Sequence, residues 1–355
     1  MRQQRIIISE DLERELSMAI AECEHDKLFI LTDETTRALC LPHITAFACV
    51  KGAQVITIGV SDQSKTLETI TYVWKSLGDG GASRHSCMIN LGGGMVTDLG
   101  GLAASTFKRG INFINIPTTL LAMVDASVGG KTGVNFNGLK NEIGVFNDSK
   151  FVFLDTRFLQ TLGDIDMRSG YAEMLKHGLI SNKEMWVELL NFDLQKAIDH
   201  DTKALADLQR MVADSVAVKE RIVEEDPQET GIRKALNVGH TMGHAFESWA
   251  LRREAIPHGE AVALGIIGEL YLSVTKCGFP TAQARQTINF IREHYHMLPI
   301  TCDDYNELIE LMRHDKKNMS GAINFTLLSG IGKVLLNQTA SIEEIKEALD
   351  FFREG

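Results

Sequence analysis

Five short apolar runs in the first 155 residues, separated by segments with helical periodicity, constrain the fold more than any other feature. Each run is apolar nearly throughout and ends in Gly, Thr, Ser or Asp: KLFILTD, QVITIGV, SCMINL, NFINIPTT and KFVFLD. Continuous apolar strands that alternate with helices are typical of a parallel sheet covered on both faces. Ligands of such sheets bind beyond the carboxyl ends of the strands, which is where Asp33, glycines 92–94, Thr118 and Thr119 fall.

The second half of the chain has a different pattern. After about residue 165, apolar residues recur with a 3.6-residue period and β-branched runs become scarce, which predicts a mainly helical domain. One exception, GAINFTLLSGIGKVLL, predicts a small hairpin. Because 355 residues exceed what one hydrophobic core usually serves, we predict two domains, residues 1–165 and 166–355. The cleft between two domains is the default place for an active site.

Composition excludes several classes of protein. A net charge of −11 and a pI near 5.5 argue against a nucleic-acid or anionic-membrane surface, although a local basic pocket for a small anion remains compatible. The N-terminus carries no apolar stretch typical of a secretory signal, and no run of about 18 apolar residues exists to span a bilayer. The six cysteines form no CxxC pair and are expected to be reduced thiols. We therefore expect a cytoplasmic protein.

Two glycine-containing segments are candidates for anion binding. CMINLGGGMVTDLGGLAA predicts a strand, a tight turn and a helix whose first amides would face an anion, although a turn without a ligand would look the same. VDASVGGKTGVNFNGLKNEIG places Asp125, Lys131, Lys140 and Asn141 in a glycine-rich segment that follows an apolar helix, TTLLAMV. Glycine amides and two lysines suit a phosphorylated or carboxylated ligand. STFKRG adds Arg109, for which charge at a helix end is the simpler interpretation.

The helical half contributes further polar candidates. GYAEMLKHG places Glu173 and Lys176 on one helix face, where surface ion pairing would also explain them. A later segment, KERIVEEDPQETGIRKALNVGHTMGHAFE, adds Lys219 and Arg233. In the same segment, three polar residues share one stripe of a predicted helix at positions i, i+3 and i+7: Asn237, His240 and His244. Three polar groups on one stripe of an apolar helix indicate a site more often than core packing.

One carboxylate and two histidines could hold a metal ion. His258 stands at a predicted helix start, where Pro257 favours an extended entry. Glu173, His240 and His258 would make a set of two histidines and one carboxylate, and an open fourth position is what a catalytic zinc needs. Spacing alone does not select this trio over one that includes His244 or Glu247.

Taken in order, these segments resemble the 3-dehydroquinate synthases, a family within the sugar phosphate cyclase superfamily. The resemblance covers nearly the whole chain and is densest in NLGGGMVTDLGG through GYAEMLKHG, in LNVGHTMGHAFE and in HGEAVALG. It implies a Rossmann-like N-terminal α/β domain with a parallel sheet, a mainly helical C-terminal domain, and an active site in the interdomain cleft. It also implies NAD, a divalent metal (Zn²⁺ or Co²⁺) and a homodimer.

The resemblance also implies roles for individual residues. The metal ligands would be Glu173, His240 and His258. The NAD-binding positions would be Asp33, Asp62, Lys65, Gly93, Gly94, Met95, Asp98, Thr118, Thr119, Leu121, Asp125, Lys140, Thr161, Leu162 and Asp166. The substrate-binding and catalytic positions would be Asp125, Lys131, Asn141, Lys176, Lys219, Arg233, Asn237, His244 and a lysine of DKKN, taken as Lys316. Arg109 would reach into the phosphate site of the partner subunit.

Three positions depart from the family pattern. Thr35 stands where Asn is frequent, Asp62 where Glu is usual, and Asp166 where the LPxRE stretch carries Glu. All three are changes of similar polarity at the edge of the expected NAD site. They affect expected nucleotide contacts and leave the expected chemistry intact.

The chemistry that the resemblance implies starts from 3-deoxy-D-arabino-heptulosonate 7-phosphate, a substrate of the shikimate pathway to aromatic amino acids. Transient oxidation at C5 by NAD would acidify C6, and phosphate would leave by β-elimination. Reduction, ring opening and intramolecular aldol closure would then give 3-dehydroquinate. Because NAD is regenerated in each turnover, the enzyme would be a lyase.

Three other functions deserve comparison. A related cyclase would act on glucose 6-phosphate or sedoheptulose 7-phosphate, but Lys219, Arg233, Asn237 and His244 together suit a substrate carboxylate. A metal-dependent polyol dehydrogenase would not need the GGKTGVN…LKN segment. A non-catalytic NAD-binding regulator would not need the carboxylate and two histidines.

Overall fold

The computed structural model describes residues 4–137, 139–314 and 323–354, which form two compact units. Unit 1 comprises Met1–Gly163 and Gln195–Glu220, and unit 2 comprises Asp164–Leu194 and Arg221–Gly355. The sequence prediction placed one boundary at residue 165 and did not anticipate that a later segment returns to unit 1. The roles assigned to the two domains stay predictions.

The strands and helices follow one another in a regular order along the described chain. The strands are β1 (Arg5–Ile8), β2 (Leu28–Asp33), β3 (Gln54–Ile58), β4 (Cys87–Gly92), β5 (Asn112–Pro117), β6 (Lys131–Phe136), β7 (Leu139–Phe146), β8 (Phe151–Leu154), β9 (Asn324–Gly330) and β10 (Lys333–Thr339). The helices are α1 (Leu12–Glu22), α2 (Glu34–Leu39), α3 (Pro42–Thr45), α4 (Leu67–Asp79), α5 (Gly94–Thr106), α6 (Asp164–Ser181), α7 (Lys183–Asn191), α8 (Leu194–Ile198), α9 (Thr202–Glu225), α10 (His240–Ala250), α11 (His258–Cys277), α12 (Thr281–His294), α13 (Tyr305–Arg313) and α14 (Ile342–Glu354).

Unit 1 is built on a six-stranded parallel sheet in the order β1-β8-β5-β4-β2-β3. All five apolar runs form strands of this sheet, so the predicted α/β fold with a parallel sheet is confirmed. Strand β1, with only four residues, was not predicted. The strand order reverses between β2 and β4, because β3 and β4 pair with opposite edges of β2. Such a switch point opens a crevice beyond the strand ends.

The returning segment joins unit 1 through α9. Gln209 donates a 2.8 Å hydrogen bond to the Ser9 carbonyl, and the Thr156 hydroxyl bonds both Gln209 and the Leu205 carbonyl. The periodicity of α9 predicts a helix correctly but does not say which sheet or helix layer it packs against. That is why the sequence prediction assigned it to the helical domain.

A separate antiparallel hairpin, β6–β7, forms from the glycine-rich segment to which the sequence analysis assigned no secondary structure. The alternation in KTGVNF and the Asn137–Gly138 pair are hairpin signals that were available in the sequence. The apolar residues of this hairpin are partly on its surface, since Phe146 is 60% and Leu139 54% exposed.

The described part of unit 2 is mainly helical and contains a small hairpin, β9–β10, which confirms the predicted hairpin. Helices α6, α10 and α11 approach one another at backbone distance because glycines face the contacts. A Cβ on Gly259 would lie 1.8 Å from the Ser169 carbonyl oxygen, and one on Gly265 would lie 2.1 Å from the Gly239 oxygen. These contacts bring Glu173, His240 and His258, one on each helix, to a common region.

Two further expectations are met by the described residues. Each of the six cysteines is a free thiol. No helix among the described residues is long and apolar enough to cross a membrane.

Candidate active site

A carboxylate and two imidazoles of unit 2 surround a common point. Glu173 of α6 is fully buried, and its Oε1 has no hydrogen-bond partner among the described residues. The Nε2 atoms of His240 and His258 both lie 3.7 Å from this oxygen. The structure thus brings together the three residues predicted as metal ligands. In a tetrahedral zinc site with bonds near 2.1 Å, neighbouring ligand atoms are about 3.4 Å apart.

The second atom of each of these groups is already engaged. Lys176 donates to Glu173 Oε2 from one turn along α6. The Nδ1 of His240 lies 3.2 Å from the Val238 carbonyl oxygen, and the Nδ1 of His258 lies 3.2 Å from Glu247 Oε2. Since a carbonyl and a carboxylate only accept hydrogen bonds, both Nδ1 atoms are donors, which leaves Nε2 of each neutral ring with a free lone pair.

A third histidine, His244, lies beside the other two. Its ring centroid is 5.3 Å from that of His240 and 5.6 Å from that of His258. A nitrogen from each of the three rings falls within 4.8 Å of the others, so His244 also lies within reach of a metal ion. Position alone therefore does not separate the trio with Glu173 from a set of three histidines.

The prediction that Asn237, His240 and His244 share one helix is wrong. Helix α10 begins at His240, and Asn237 ends a separate 3₁₀ turn, Ile232–Asn237. Gly239 between them has φ of +80°, a left-handed conformation that interrupts any helix. Asn237 instead donates a 3.0 Å hydrogen bond to Glu229 Oε1.

A turn organised by Asp226 holds Arg233 in place. Arg233 is 1% exposed and donates a 2.6 Å hydrogen bond to the Pro227 carbonyl oxygen. The Asp226 carboxylate accepts from the amides of Gly231 at 2.6 Å and Arg233 at 3.1 Å. Burial opposes ionisation of Asp226, but the amide hydrogen bonds favour the carboxylate more and hold its pKa below the ordinary value.

Several of the predicted nucleotide positions lie at the carboxyl edge of the unit 1 sheet. Asp33 ends β2 and caps α2, accepting from the Thr36 amide at 2.7 Å. Gly93 precedes α5, and no side chain among the described residues caps that helix. A Cβ on Gly93 would lie 2.9 Å from Thr119 Cγ2, so a side chain there would close the gap between the two strand ends. The amide of Thr118 donates to the Gly92 carbonyl at 3.0 Å.

The buried Lys65 contacts both α5 and the β6–β7 hairpin. Lys65 Nζ lies 2.6 Å from Asp98 Oδ2 and also donates to Asn141 Oδ1. Asn135 orients the backbone of Asn141 by accepting from its amide at 3.0 Å, and it donates to Asp62 Oδ2 at 3.1 Å. Burial raises the pKa of Asp98, and the nearby Lys65 ammonium only partly offsets this.

A second lysine and carboxylate pair joins α9 to the segment after β5. Lys219 of α9 donates to Asp125 Oδ1 at 2.6 Å and to the Asp125 carbonyl. Asp125 belongs to a π-helical turn, Ala122–Ala126, where the sequence analysis expected an apolar α-helix. Such turns are frequent at functional sites. Lys131 is exposed at the start of β6, and Lys140 Nζ lies 3.5 Å from Asp62 Oδ2.

The remaining predicted positions are distributed as follows. Met95 lies in the first turn of α5, and Leu121 just precedes the π-helical turn. Thr161 ends a 3₁₀ helix, Thr156–Thr161, and Leu162 follows it. Asp166 lies in the first turn of α6, in unit 2. Arg109 has φ of +71° in a turn after α5. Lys316 lies outside the described residues.

Three polar residues near these sites were missed by sequence reasoning: Asn135, Glu229 and Glu269. Glu269 of α11 is 1% exposed and accepts from the amides of Gly239 at 2.6 Å and Thr241 at 2.9 Å. A single acidic residue inside the apolar run GIIGELYL was the signal that could have identified it. The other two had no distinctive local pattern.

Comparisons with known proteins agree along the whole chain. A family model described as 3-dehydroquinate synthase N-terminal matches residues 55–169, and one described as 3-dehydroquinate synthase C-terminal matches residues 170–318. A 3-dehydroquinate synthase of Parabacteroides distasonis is 51% identical, over 100% of this chain and 99% of that protein.

Solved structures give the same fold. A 2-epi-5-epi-valiolone synthase of Streptomyces hygroscopicus, solved with NAD+ and Zn2+, has a TM-score of 0.87 at 25% identity and covers 100% of this chain and 98% of its own. A 2-deoxy-scyllo-inosose synthase, solved with carbaglucose-6-phosphate, NAD+ and Co2+, has a TM-score of 0.82 at 25% identity, covering 99% and 96%. The resemblance drawn from the sequence motifs is confirmed, and the chain belongs to the 3-dehydroquinate synthase family.

Proposed function

We propose that this chain converts 3-deoxy-D-arabino-heptulosonate 7-phosphate to 3-dehydroquinate and phosphate, as a phosphorus–oxygen lyase. The observation that carries the proposal is the 51% identity to a 3-dehydroquinate synthase over the full chain. The related cyclases with other products share only 25% of residues. The closer relative is therefore the better guide to the substrate.

The metal ligands of this proposal are Glu173, His240 and His258. Support comes from the unpartnered Glu173 Oε1, which has two Nε2 atoms 3.7 Å away, and from relatives solved with Zn2+ or Co2+. One carboxylate oxygen and two neutral imidazoles suit zinc or cobalt. When bound, the metal would polarise the C5 oxygen and NAD would take up and return the C5 hydride, which makes phosphate elimination feasible.

The nucleotide would bind to unit 1 at the edge where Asp33, Gly93 and Thr118 lie. The uncapped start of α5 supplies amides for the pyrophosphate, and the relatives named above were solved with NAD+. Lys65 and Asp98 would serve as a preorganised polar pair beside it. Asp62 is shorter than the Glu usual in the family but is also a carboxylate. It accepts a hydrogen bond from Asn135 and lies near Lys140.

The substrate would be held by the basic and amide side chains. Lys131, Asn141 and Lys219 come from unit 1, and Lys176, Arg233, Asn237 and His244 come from unit 2. In a chain of net charge −11, the basic members of this set would supply the positive charge that a bound phosphate and carboxylate need. Fixed donors would orient the phosphate so that it can take the C6 proton as it leaves.

Arg109 belongs to the proposal as a residue that acts in the partner subunit of a homodimer. It lies in a turn where both Lys108 and Arg109 have positive φ, at +50° and +71°. Two consecutive strained residues need a compensating interaction. Cytoplasmic location is proposed on the same family basis, together with the described residues having no membrane-spanning helix.

Phosphate release tests the function directly. Purified protein is incubated with the heptulosonate phosphate, catalytic NAD and Zn²⁺, with parallel reactions on glucose 6-phosphate and sedoheptulose 7-phosphate. Rapid phosphate release from the heptulosonate alone is expected, and 3-dehydroquinate is identified by mass and absorbance. Release from one of the other two sugars, with the heptulosonate left intact, would refute the proposal in favour of a related cyclase.

A further inference from the structure

The ring of His258 is held from behind by a buried carboxylate. Glu247, near the C-terminal end of α10, is 5% exposed, and its Oε2 lies 3.2 Å from His258 Nδ1. The other ring nitrogen, Nε2, lies 3.7 Å from Glu173 Oε1. The two carboxylates therefore approach opposite edges of the same imidazole.

We infer that Glu247 is a positioning residue that keeps His258 in the Nδ1–H tautomer, so that Nε2 presents its lone pair to the proposed metal. A carboxylate behind a ligating histidine sets the ring orientation and raises the basicity of the ligand nitrogen. The inference rests on the proposed metal site and extends it to a residue that is not itself a ligand.

The two proposed histidine ligands differ in this respect. His240 Nδ1 is 3.2 Å from a neutral backbone carbonyl, that of Val238, whereas His258 Nδ1 donates to a charged group. A hydrogen bond to an ionised acceptor is roughly twice as strong as one between neutral groups. His258 is also the more accessible of the two rings, with 29% of its side chain exposed against 11%. The less enclosed ring thus has the stronger restraint.

Glu247 could instead be a metal ligand, which the spacing of the sequence left open. The geometry argues otherwise, because Glu247 engages Nδ1, and a metal bound at Nε2 of the same ring lies on the opposite edge. Its position seven residues after His240 also places it about two turns along α10 from that ligand. The carboxylate acts on the metal through His258.

Zinc affinity is the main test, measured without substrate or NAD by competition with a chromophoric chelator. Glu247→Gln removes the charge and keeps the side-chain size, and we expect its zinc Kd to rise about 10- to 100-fold. Glu260→Gln is the matched control. It makes the same charge change two residues after His258, but Glu260 accepts from the His296 amide at 3.2 Å. Its zinc Kd should stay within about 3-fold of wild type.

Two further measurements distinguish a positioning role of Glu247 from general structural damage. At saturating zinc, phosphate release by Glu247→Gln should return towards the wild-type rate, because only metal occupancy is affected. In zinc-free wild-type protein at pH 8, long-range ¹H–¹⁵N correlation spectra should show His258 as the Nδ1–H tautomer. The His258 signals are assigned as those that disappear in His258→Ala.

Three outcomes would overturn the inference: an unchanged zinc Kd in Glu247→Gln, an equal loss in Glu260→Gln, or a dominant Nε2–H tautomer in wild-type protein. The tautomer is measured in wild-type protein, so this test does not depend on whether a Glu247 variant folds. Wild-type protein that binds zinc but releases no phosphate would refute the proposed function and leave this inference standing.

Discussion

At the scale of the residue, the two histidines nearest Glu173 present the same ring atom to it. Each has its Nδ1 engaged, by Val238 or by Glu247, and each has Nε2 3.7 Å from Glu173 Oε1. Lys176 holds the other oxygen of Glu173, which balances its buried charge. Ligand atoms that are oriented before the metal arrives lose less freedom when it binds.

Replacing each histidine separately will identify the ligands. We expect His258→Ala to lose zinc while keeping its fold, since the side chain is partly exposed and its removal leaves no large buried cavity. His244→Ala should retain zinc and lose phosphate release, because His244 is proposed to contact substrate. Zinc content is measured by elemental analysis and folding by circular dichroism.

The opposite pattern would show that the proposed ligand set is wrong. If His258→Ala kept wild-type zinc content, His258 would not be a ligand. If His244→Ala lost its zinc as completely as His258→Ala, a site of three histidines would replace the proposed trio.

At the scale of the element, α10 is fixed by its neighbour rather than by its own sequence. Gly239 cannot cap the helix with a side chain, and Glu269 of α11 takes that role from 30 residues away. Its carboxylate accepts from the amides of Gly239, Thr241 and Met242, at 2.6, 2.9 and 3.1 Å. A buried carboxylate at a helix N-terminus is favoured both by these bonds and by the helix dipole.

Glu269→Ala should therefore destabilise unit 2 by about 2–4 kcal/mol, because buried amides would be left without an acceptor. The thermal midpoint should fall, and deuterium uptake by peptides covering residues 239–250 should accelerate. Glu269→Gln is the control, since it keeps one acceptor oxygen and should lose less. An unchanged midpoint with unchanged uptake in Glu269→Ala would contradict this account of the cap.

At the scale of the whole molecule, the residues of the proposal are divided between the two compact units, and Arg109 is proposed to act in a second chain. The predicted nucleotide positions lie in unit 1 apart from Asp166, and the proposed metal ligands all lie in unit 2. Closed two-fold dimers are the commonest oligomers, and each subunit would contribute the same residue to the other.

Mixed dimers test whether Arg109 acts in trans. Arg109→Ala and His258→Ala should each have little activity alone. Co-expressed, they would form hybrid dimers in which one site has both an intact metal site and a wild-type Arg109. With random assembly, about half of the dimers would be hybrids, and each hybrid would have one complete site of two. About a quarter of wild-type phosphate release should therefore return. If co-expression restored nothing although hybrid dimers were isolated, Arg109 would act within its own subunit.

Local sequence patterns were enough to predict the strands, the helical half of the chain and the family. Continuous apolar runs specify buried parallel strands, and a 3.6-residue period specifies helices, wherever the rest of the chain lies. Five sheet strands and the β9–β10 hairpin were found in this way. The four-residue β1 is too short to give such a signal, and it becomes a strand by pairing with β8.

The sequence by itself determined which residue types this protein brings to its chemistry, and the tertiary structure decided which atoms meet. The three-residue spacing placed Asn237 on the face of His240, but Gly239 at φ of +80° starts the helix after it. The spacing left His244 and Glu247 open as ligands, whereas packing placed Glu247 behind His258. Glu269 and the returning α9 also act across long stretches of chain. Such contacts depend on how helices pack against one another in space, and local periodicity does not determine which helices pack together.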